Sequence, residues 1–159
     1  MKKIIRIAIG IITVIGIGMF VCNENFTNIN SNQYLTAKEE KRSFLVHENQ
    51  KCTKDSMSFD FNRFTGKWSF FELHCKEGNK ITIKDNSKID KGKFFIVVLD
   101  SNYNNIAMKE EKNKEDIEFS VPKDGKYLLR IVGEKASGHF DISIKSDGDL
   151  ETVYKDFWS

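Results

Sequence analysis

The residues best suited to chemistry are three histidines, His47, His74 and His139, and three cysteines, Cys22, Cys52 and Cys75. Such side chains ligate metals or act as nucleophile and base, so their spacing decides which chemistry is open. No two histidines are spaced as metal ligands on one element. His139 and Asp141 stand two apart and would share one face of a strand. Together with Cys75 they can be drawn as a Cys-His-Asp nucleophilic set, yet none lies in a catalytic motif and polar alternation is what a solvent face requires. P-loop, G-x-S-x-G, HExxH and EF-hand patterns are missing from the sequence. The expectation is therefore a protein that is not an enzyme and has no catalytic residues. Asp60, Asp85, Asp90 and Asp100 could contribute to a calcium site of the kind that pins loops in exported β domains, but no ligand spacing supports a metal or another cofactor.

The start of the chain says where these residues work. Residues 1–22, MKKIIRIAIGIITVIGIGMFVC, open with Lys2, Lys3 and Arg6 and then carry no charge from Ile7 to Cys22. This is the pattern of a signal peptide or a short membrane anchor, and the positive-inside bias places the rest of the chain outside the cytoplasm. The small-x-small pattern Gly16-Ile17-Gly18 lies inside the apolar run, which favours a retained anchor over a cleaved signal. Cys22 invites lipidation, although Met19-Phe20-Val21 lacks the small residue that a lipoprotein signal sets directly before its cysteine. The expected location is extracellular, tethered to the cytoplasmic membrane or secreted. Residues 23–40 are polar and Asn-rich and read as a spacer, leaving 41–159 as one domain. Residues 1–22 hold three basic and no acidic residues, so the remainder has 22 basic against 23 acidic. That balance offers no basic face for nucleic acid.

The elements that must position the candidate residues read as strands. Aromatic and β-branched stretches bounded by Gly, Asn and Asp recur at Met57–Asn62, Lys67–Cys75, Lys80–Lys84, Lys93–Asp100, Asp116–Val121, Lys126–Val132 and His139–Lys145. Such spacing predicts an all-β antiparallel sandwich, jelly-roll-like, of about seven to eight strands. Phe44-Leu45-Val46 is a candidate edge strand. Phe94–Leu99 does not alternate and predicts a strand covered on both faces. Lys109–Glu115, without an apolar residue, reads as a solvated loop. Tyr127, Leu129 and Ile131, then Phe140, Ile142 and Ile144, are the expected inward sets of a hairpin joined by residues 133–138. In the tail, Leu150, Val153, Tyr154, Phe157 and Trp158 follow helical spacing after Asp149, predicting a short amphipathic helix.

A second hairpin, 57–62 with 67–75 around the loop Asn62–Thr65, brings partners whose numbers sum to 127, as 52 and 75 do. Cys52 and Cys75 are accordingly expected as a disulfide, which export would preserve and which would contribute on the order of 3 kcal/mol. The same pairing puts Trp68 and Phe70 in the core. A one-residue slip exposes them beside Glu72 and His74, where they would form a platform for a carbohydrate.

Gly66-Lys67-Trp68-Ser69-Phe70, Glu77-Gly78-Asn79-Lys80-Ile81, Lys91-Gly92-Lys93-Phe94, Asp124-Gly125-Lys126-Tyr127 and Ala136-Ser137-Gly138-His139-Phe140-Asp141-Ile142 resemble small exported, often membrane-anchored β-sandwich domains of Bacillus- and Clostridium-type bacteria, whose function is unknown. More loosely they are similar to bacterial pre-peptidase C-terminal domains. The resemblance covers residues 56–146 and implies a fold and a place, not an activity. Taken together, these readings predict a non-catalytic cell-surface binding or accessory module for a glycan or surface protein, with Trp68, Phe70, Glu72 and His74 as ligand contacts. The alternative is an immunity-like or lipoprotein-type interaction protein that binds a partner through Tyr154, Phe157 and Trp158.

Overall fold

The computed structural model describes residues 28–112 and 115–157. Among these residues one short helix, α1 (Asn32–Thr36), precedes nine strands: β1 (Arg42–Ser43), β2 (Val46–Cys52), β3 (Ser56–Cys75), β4 (Lys80–Asp85), β5 (Lys88–Asp100), β6 (Asn105–Glu110), β7 (Ile117–Ser120), β8 (Gly125–Ser146) and β9 (Leu150–Tyr154). All pairings are antiparallel, within one open sheet. Its spine is the ladder between β3 and β8, which runs from Ser56 opposite Ser143 to Cys75 opposite Gly125. Along its free edge β3 carries β2, β1 and β9 in turn. On the other side β8 carries β5 and then β4, which are followed by β6 and β7.

The two hairpins expected from the sequence are each one long, bent strand. Residues 62–66 and 133–138 have the composition of turns, but the two stretches pair with each other, Phe64 opposite Ala136 and Gly66 opposite Gly133. Arg63 and Lys135, both at φ 51°, and Gly66 at φ 118° are used in bulges, which bend a strand where a tight turn would reverse it. The bend is sharp. Phe59 and Trp68 are nine positions apart, about 30 Å along a straight strand, yet their ring centroids are 6.0 Å apart. Phe140, the partner of Phe59, lies 5.4 Å from Phe70 beyond the corner. The sheet thus folds across its own face, with its β2–β4–β7 half on one side and its β5–β6–β9 half on the other.

Between the halves lies an aromatic core that includes Phe59, Phe61, Trp68, Phe70, Phe94 and Phe140. The inward sets on β8 are those the alternation predicts: Tyr127, Leu129 and Ile131 before the corner, Phe140, Ile142 and Ile144 after it. Phe94–Leu99 is buried on both faces, as its unbroken apolar run requires. Phe94, Ile96 and Val98 face the aromatic core, whereas Phe95, Val97 and Leu99 join Leu128 and Val132 in a second cluster on the outer face.

That outer cluster is roofed by residues 28–40, most of the stretch read as a spacer. Ile29 and Leu35 enter the cluster, and Ser31 caps α1 by accepting a hydrogen bond from the Tyr34 amide. Burying two such side chains contributes roughly 1.5–3 kcal/mol each. Beneath the strap Arg130 is fully buried. It donates to the carbonyls of Leu35 and Ala37 at 2.9 Å, to Ser69 Oγ at 2.9 Å and to Glu40 at 3.0 Å, and lies over the Tyr103 ring. A buried guanidinium is tolerated only when its donors are satisfied in this way.

The tail corrects a further expectation. Leu150–Tyr154 is strand β9, paired with Phe71–Cys75, and no helix forms there. An isolated helix of this length is marginal, whereas pairing satisfies an otherwise bare edge of β3. Leu150 and Tyr154 pack on the core, while Val153, part of the helical stripe, is 43% exposed. Among the described residues no helix is long and apolar enough to cross a membrane; residues 1–27, with the expected anchor and Cys22, lie outside them.

The corner leaves no room for side chains at its glycines, Gly66 and Gly92 among them. A Cβ on Gly66 would sit 1.9 Å from the Lys41 carbonyl oxygen, and one on Gly92 (φ 79°) 2.5 Å from the carbonyls of Glu134 and Lys135. Gly78 has a similar φ of 83° but open space around it. Gly66→Ala and Gly92→Ala should each lower unfolding free energy by about 3 kcal/mol or more, against about 1 kcal/mol for Gly78→Ala. Urea titrations of the three variants check the contrast; equal losses would show that the corner tolerates adjustment.

Candidate functional site

The aromatic platform does not form. Trp68 and Phe70 are 1% and 0% exposed, the Trp68 indole donates to the Lys155 carbonyl, and neither ring is available to a sugar. Phe157, expected in a docking tail, is likewise buried, packed edge-on to Trp68 at 5.2 Å beneath the Arg42 guanidinium. Tyr154 is half-buried and its hydroxyl accepts from Gln50. Trp158 lies outside the described residues. The cause is the corner in β3, which turns Phe59, Phe61 and Trp68 toward one another and draws the chain end over them.

His74, in contrast, borders an open groove, with the buried Glu72 beside it. A bulge after Ser69 lets Phe70 and Phe71 both point inward, and alternation then sends Glu72 and His74 outward and Leu73 and Cys75 to the core. His74 sits between Lys126 on β8 and Glu151 on β9, a row of charges across three strands. Glu72 holds this row in place: its carboxylate lies 2.9 Å from His74 Nε2, 2.9 Å from Lys126 Nζ and 3.2 Å from Lys155 Nζ. Burial opposes ionisation of Glu72, but the hydrogen bonds and charges of the two lysines outweigh it and hold its pKa low. The groove has a volume of about 640 Å³, with Cys75, Gly125 and Leu150 beside the charged row and Lys76, Asp124 and Asp149 at its margin. Asp124 is fixed there by the Glu77 amide, which donates at 2.7 Å.

The drawn Cys-His-Asp set is dispersed. His139 is bound through Nδ1 to Asp60, at 2.6 Å across the β3–β8 ladder, and Asp60 also accepts from Asn49 at 2.7 Å. Asp141 does not take part in that contact, and Cys75 is at the opposite end of the ladder. Nor do the cysteines pair: Cys52 faces Met57, whereas Cys75 faces Gly125 and Leu150, and both thiols are free. The register that would have joined them required a hairpin, which the corner replaces. Burial pushes the Cys75 thiol up to about 11, far from a reactive thiolate.

The calcium candidates are also spread out. Asp60 is paired with His139, and Asp100 accepts from the amides of Asn102 and Asn104 in its own turn. Among the described residues no three His, Cys, Asp or Glu side chains converge as metal ligands.

The expected solvated run yields the least anticipated cluster. Lys109, next to last in β6, has its ammonium 2.6 Å from Asp85 and 3.1 Å from Glu111, and the three side chains are 8%, 1% and 8% exposed. Ser87 and Lys109 donate to Asp85, as does the Glu111 carboxyl, and together they overcome burial and keep Asp85 ionised. Burial first, and Asp85 second, push Glu111 up to about 8. At neutral pH the cluster is Asp85⁻, Lys109⁺ and protonated Glu111, without net charge. It clamps the end of β6 onto the turn between β4 and β5, and nothing in its exposure marks a ligand site.

No protein-family model matches the chain, and no curated protein matches it. The charged row was legible only as residue types near turns; that Glu151, His74 and Lys126 lie abreast depends on a register no local signal carries.

Two measurements test this chemistry. Between the ordinary value of 4.5 and about 8, the folded chain keeps a proton on Glu111 that the unfolded chain has released. Stability should therefore fall as pH rises through that window and level off above it, and Glu111→Gln should flatten the slope in urea unfolding from about pH 5 to about pH 9. Under native conditions an alkylating reagent should modify Cys52 at once and Cys75 only upon unfolding, as read by intact mass. A Cys52–Cys75 bridge would instead protect both thiols until reduction.

Proposed function

We propose that the chain is an exported, membrane-tethered β-sandwich of jelly-roll-like topology that serves as a non-catalytic binding or accessory module on the surface of a bacterial cell. Its attachment rests on the basic and apolar pattern of residues 1–22, and its bacterial setting on the resemblance of residues 56–146 to small exported sandwich domains. The ligand is polar, a glycan or a patch of another surface protein, and it binds in the groove beside His74, Lys126 and Glu151.

One observation carries this choice of site. The row Glu151-His74-Lys126 presents donors and acceptors of both signs at the surface, and the largely buried Glu72 fixes His74 and Lys126, with the apolar Leu150 nearby. Few ordered polar groups around a small apolar floor suit recognition of hydroxylated or charged ligands at low ordering cost. The tail reading has less support, because Phe157 belongs to the core.

A glycan array and a surface-protein pull-down with the full chain in detergent identify the ligand. The His74→Ala/Lys126→Ala double variant should then bind at least about tenfold more weakly, the loss of one or two charge-assisted hydrogen bonds. Tyr154→Phe should leave affinity unchanged. Full binding by the groove variant would remove the groove from the proposal.

A further inference from the structure

The strap changes what the N-terminal segment can do. A chain anchored by residues 1–22 and joined to its domain by a free spacer would carry that domain at variable height. Here the spacer is consumed. Asn28 accepts from the Ser31 amide, Ile29 is 4% exposed, Leu35 is 0% exposed, and Arg130 grips the carbonyls of Leu35 and Ala37 from beneath. Lys67, itself 5% exposed, donates to the Tyr34 carbonyl with its ammonium over the Tyr34 ring.

We propose that this docking holds the outer face of the β5–β8 half against the membrane in which the chain is anchored, with the β4–β7 half turned away. The inference rests on reading residues 1–22 as a membrane attachment, and it is the same for a retained apolar segment or a lipid on Cys22, since both end at residue 22. Five residues, 23–27, then separate the attachment from the first docked residue, a reach of at most about 20 Å. Were residues 28–40 undocked, the free tether would run to Lys41, whose carbonyl accepts from the Lys67 amide, and would reach about 60 Å.

The chemistry of the strap face agrees. Tyr34 and Tyr103 are both half-buried, each with a lysine ammonium over its ring, Lys67 and Lys38 respectively. Of the two lysines Lys38 is the exposed one and can meet lipid phosphate, and the half-buried tyrosine rings offer the apolar and wet sides favoured at the headgroup level.

The test uses the full chain reconstituted into phosphatidylcholine and phosphatidylglycerol vesicles carrying a headgroup energy-transfer acceptor. Donor dye is placed on Gln33→Cys in the strap or on Glu118→Cys in β7, both exposed positions, in a Cys52→Ser background, with Cys22 also changed to Ser if the Cys52→Ser chain takes up dye there. Transfer from position 33 should exceed that from position 118 severalfold, because the aromatic core and both layers of the sheet separate the two sites. In Ile29→Asp/Leu35→Asp chains that retain their cooperative melt, the difference should collapse and transfer from both positions should fall. If that variant does not fold, the contrast between the two positions in the parent chain decides alone. Equal transfer from chains that float with the vesicles overturns the apposition and leaves the attachment standing. Failure to float with the vesicles overturns both.

Discussion

The coincident bends of β3 and β8 are the constraint on which the rest of this structure depends. Two long strands that pair throughout can bend only together, because a corner in one without the other would break the ladder and leave buried amides and carbonyls unpaired. Here residues 62–66 meet residues 133–138, and β5 bends beside them at Gly92. Folding one sheet over itself in this way makes a closed aromatic core without needing a second, separately paired sheet. The same fold brings Phe59 to Trp68 and places Phe157 against the Trp68 ring.

Enclosing the core on the inner faces leaves the outer face of the β5–β8 half apolar, since Phe95, Val97, Leu99, Leu128 and Val132 alternate with the inward residues. The strap answers that exposure with two aliphatic side chains and with backbone carbonyls for Arg130. Arginine suits the position: a planar fork of donors reaches the Leu35 and Ala37 carbonyls, Ser69 and Glu40 at once, which one ammonium could not do in the same geometry. The second cluster therefore couples the N-terminal segment to the body of the sheet.

Charge is distributed by the same logic. Where carboxylates are buried, as at Glu72 and Asp85, each is surrounded by donors, and where one more negative charge would be left uncompensated, as at Glu111, the proton is retained. The Asp85–Lys109–Glu111 clamp is closed and neutral and serves the attachment of β6. The row beside Glu72 is open, and its exposed members keep donors and acceptors facing solvent, which is why binding is placed there.

Much of this was written locally. The period-two alternation of Tyr127, Leu129 and Ile131 and of Phe140, Ile142 and Ile144 determined which side chains face inward, and the unbroken run Phe94–Leu99 determined a strand covered on both faces, because burial of alternate or successive residues is a one-strand property. Whether Asn62–Gly66 and Gly133–Gly138 reverse the chain or bend it was decided only in the tertiary structure. Positive φ is common to a tight turn and a bulge, and the choice lies in what pairs across the stretch. With that choice went the disulfide, which assumed a hairpin, while the helical tail gave way to pairing with the edge of β3. The charged row at His74, the clamp at Lys109 and the strap over Arg130 likewise join residues from distant parts of the chain, and no local pattern encodes a partner 24 to 95 positions away.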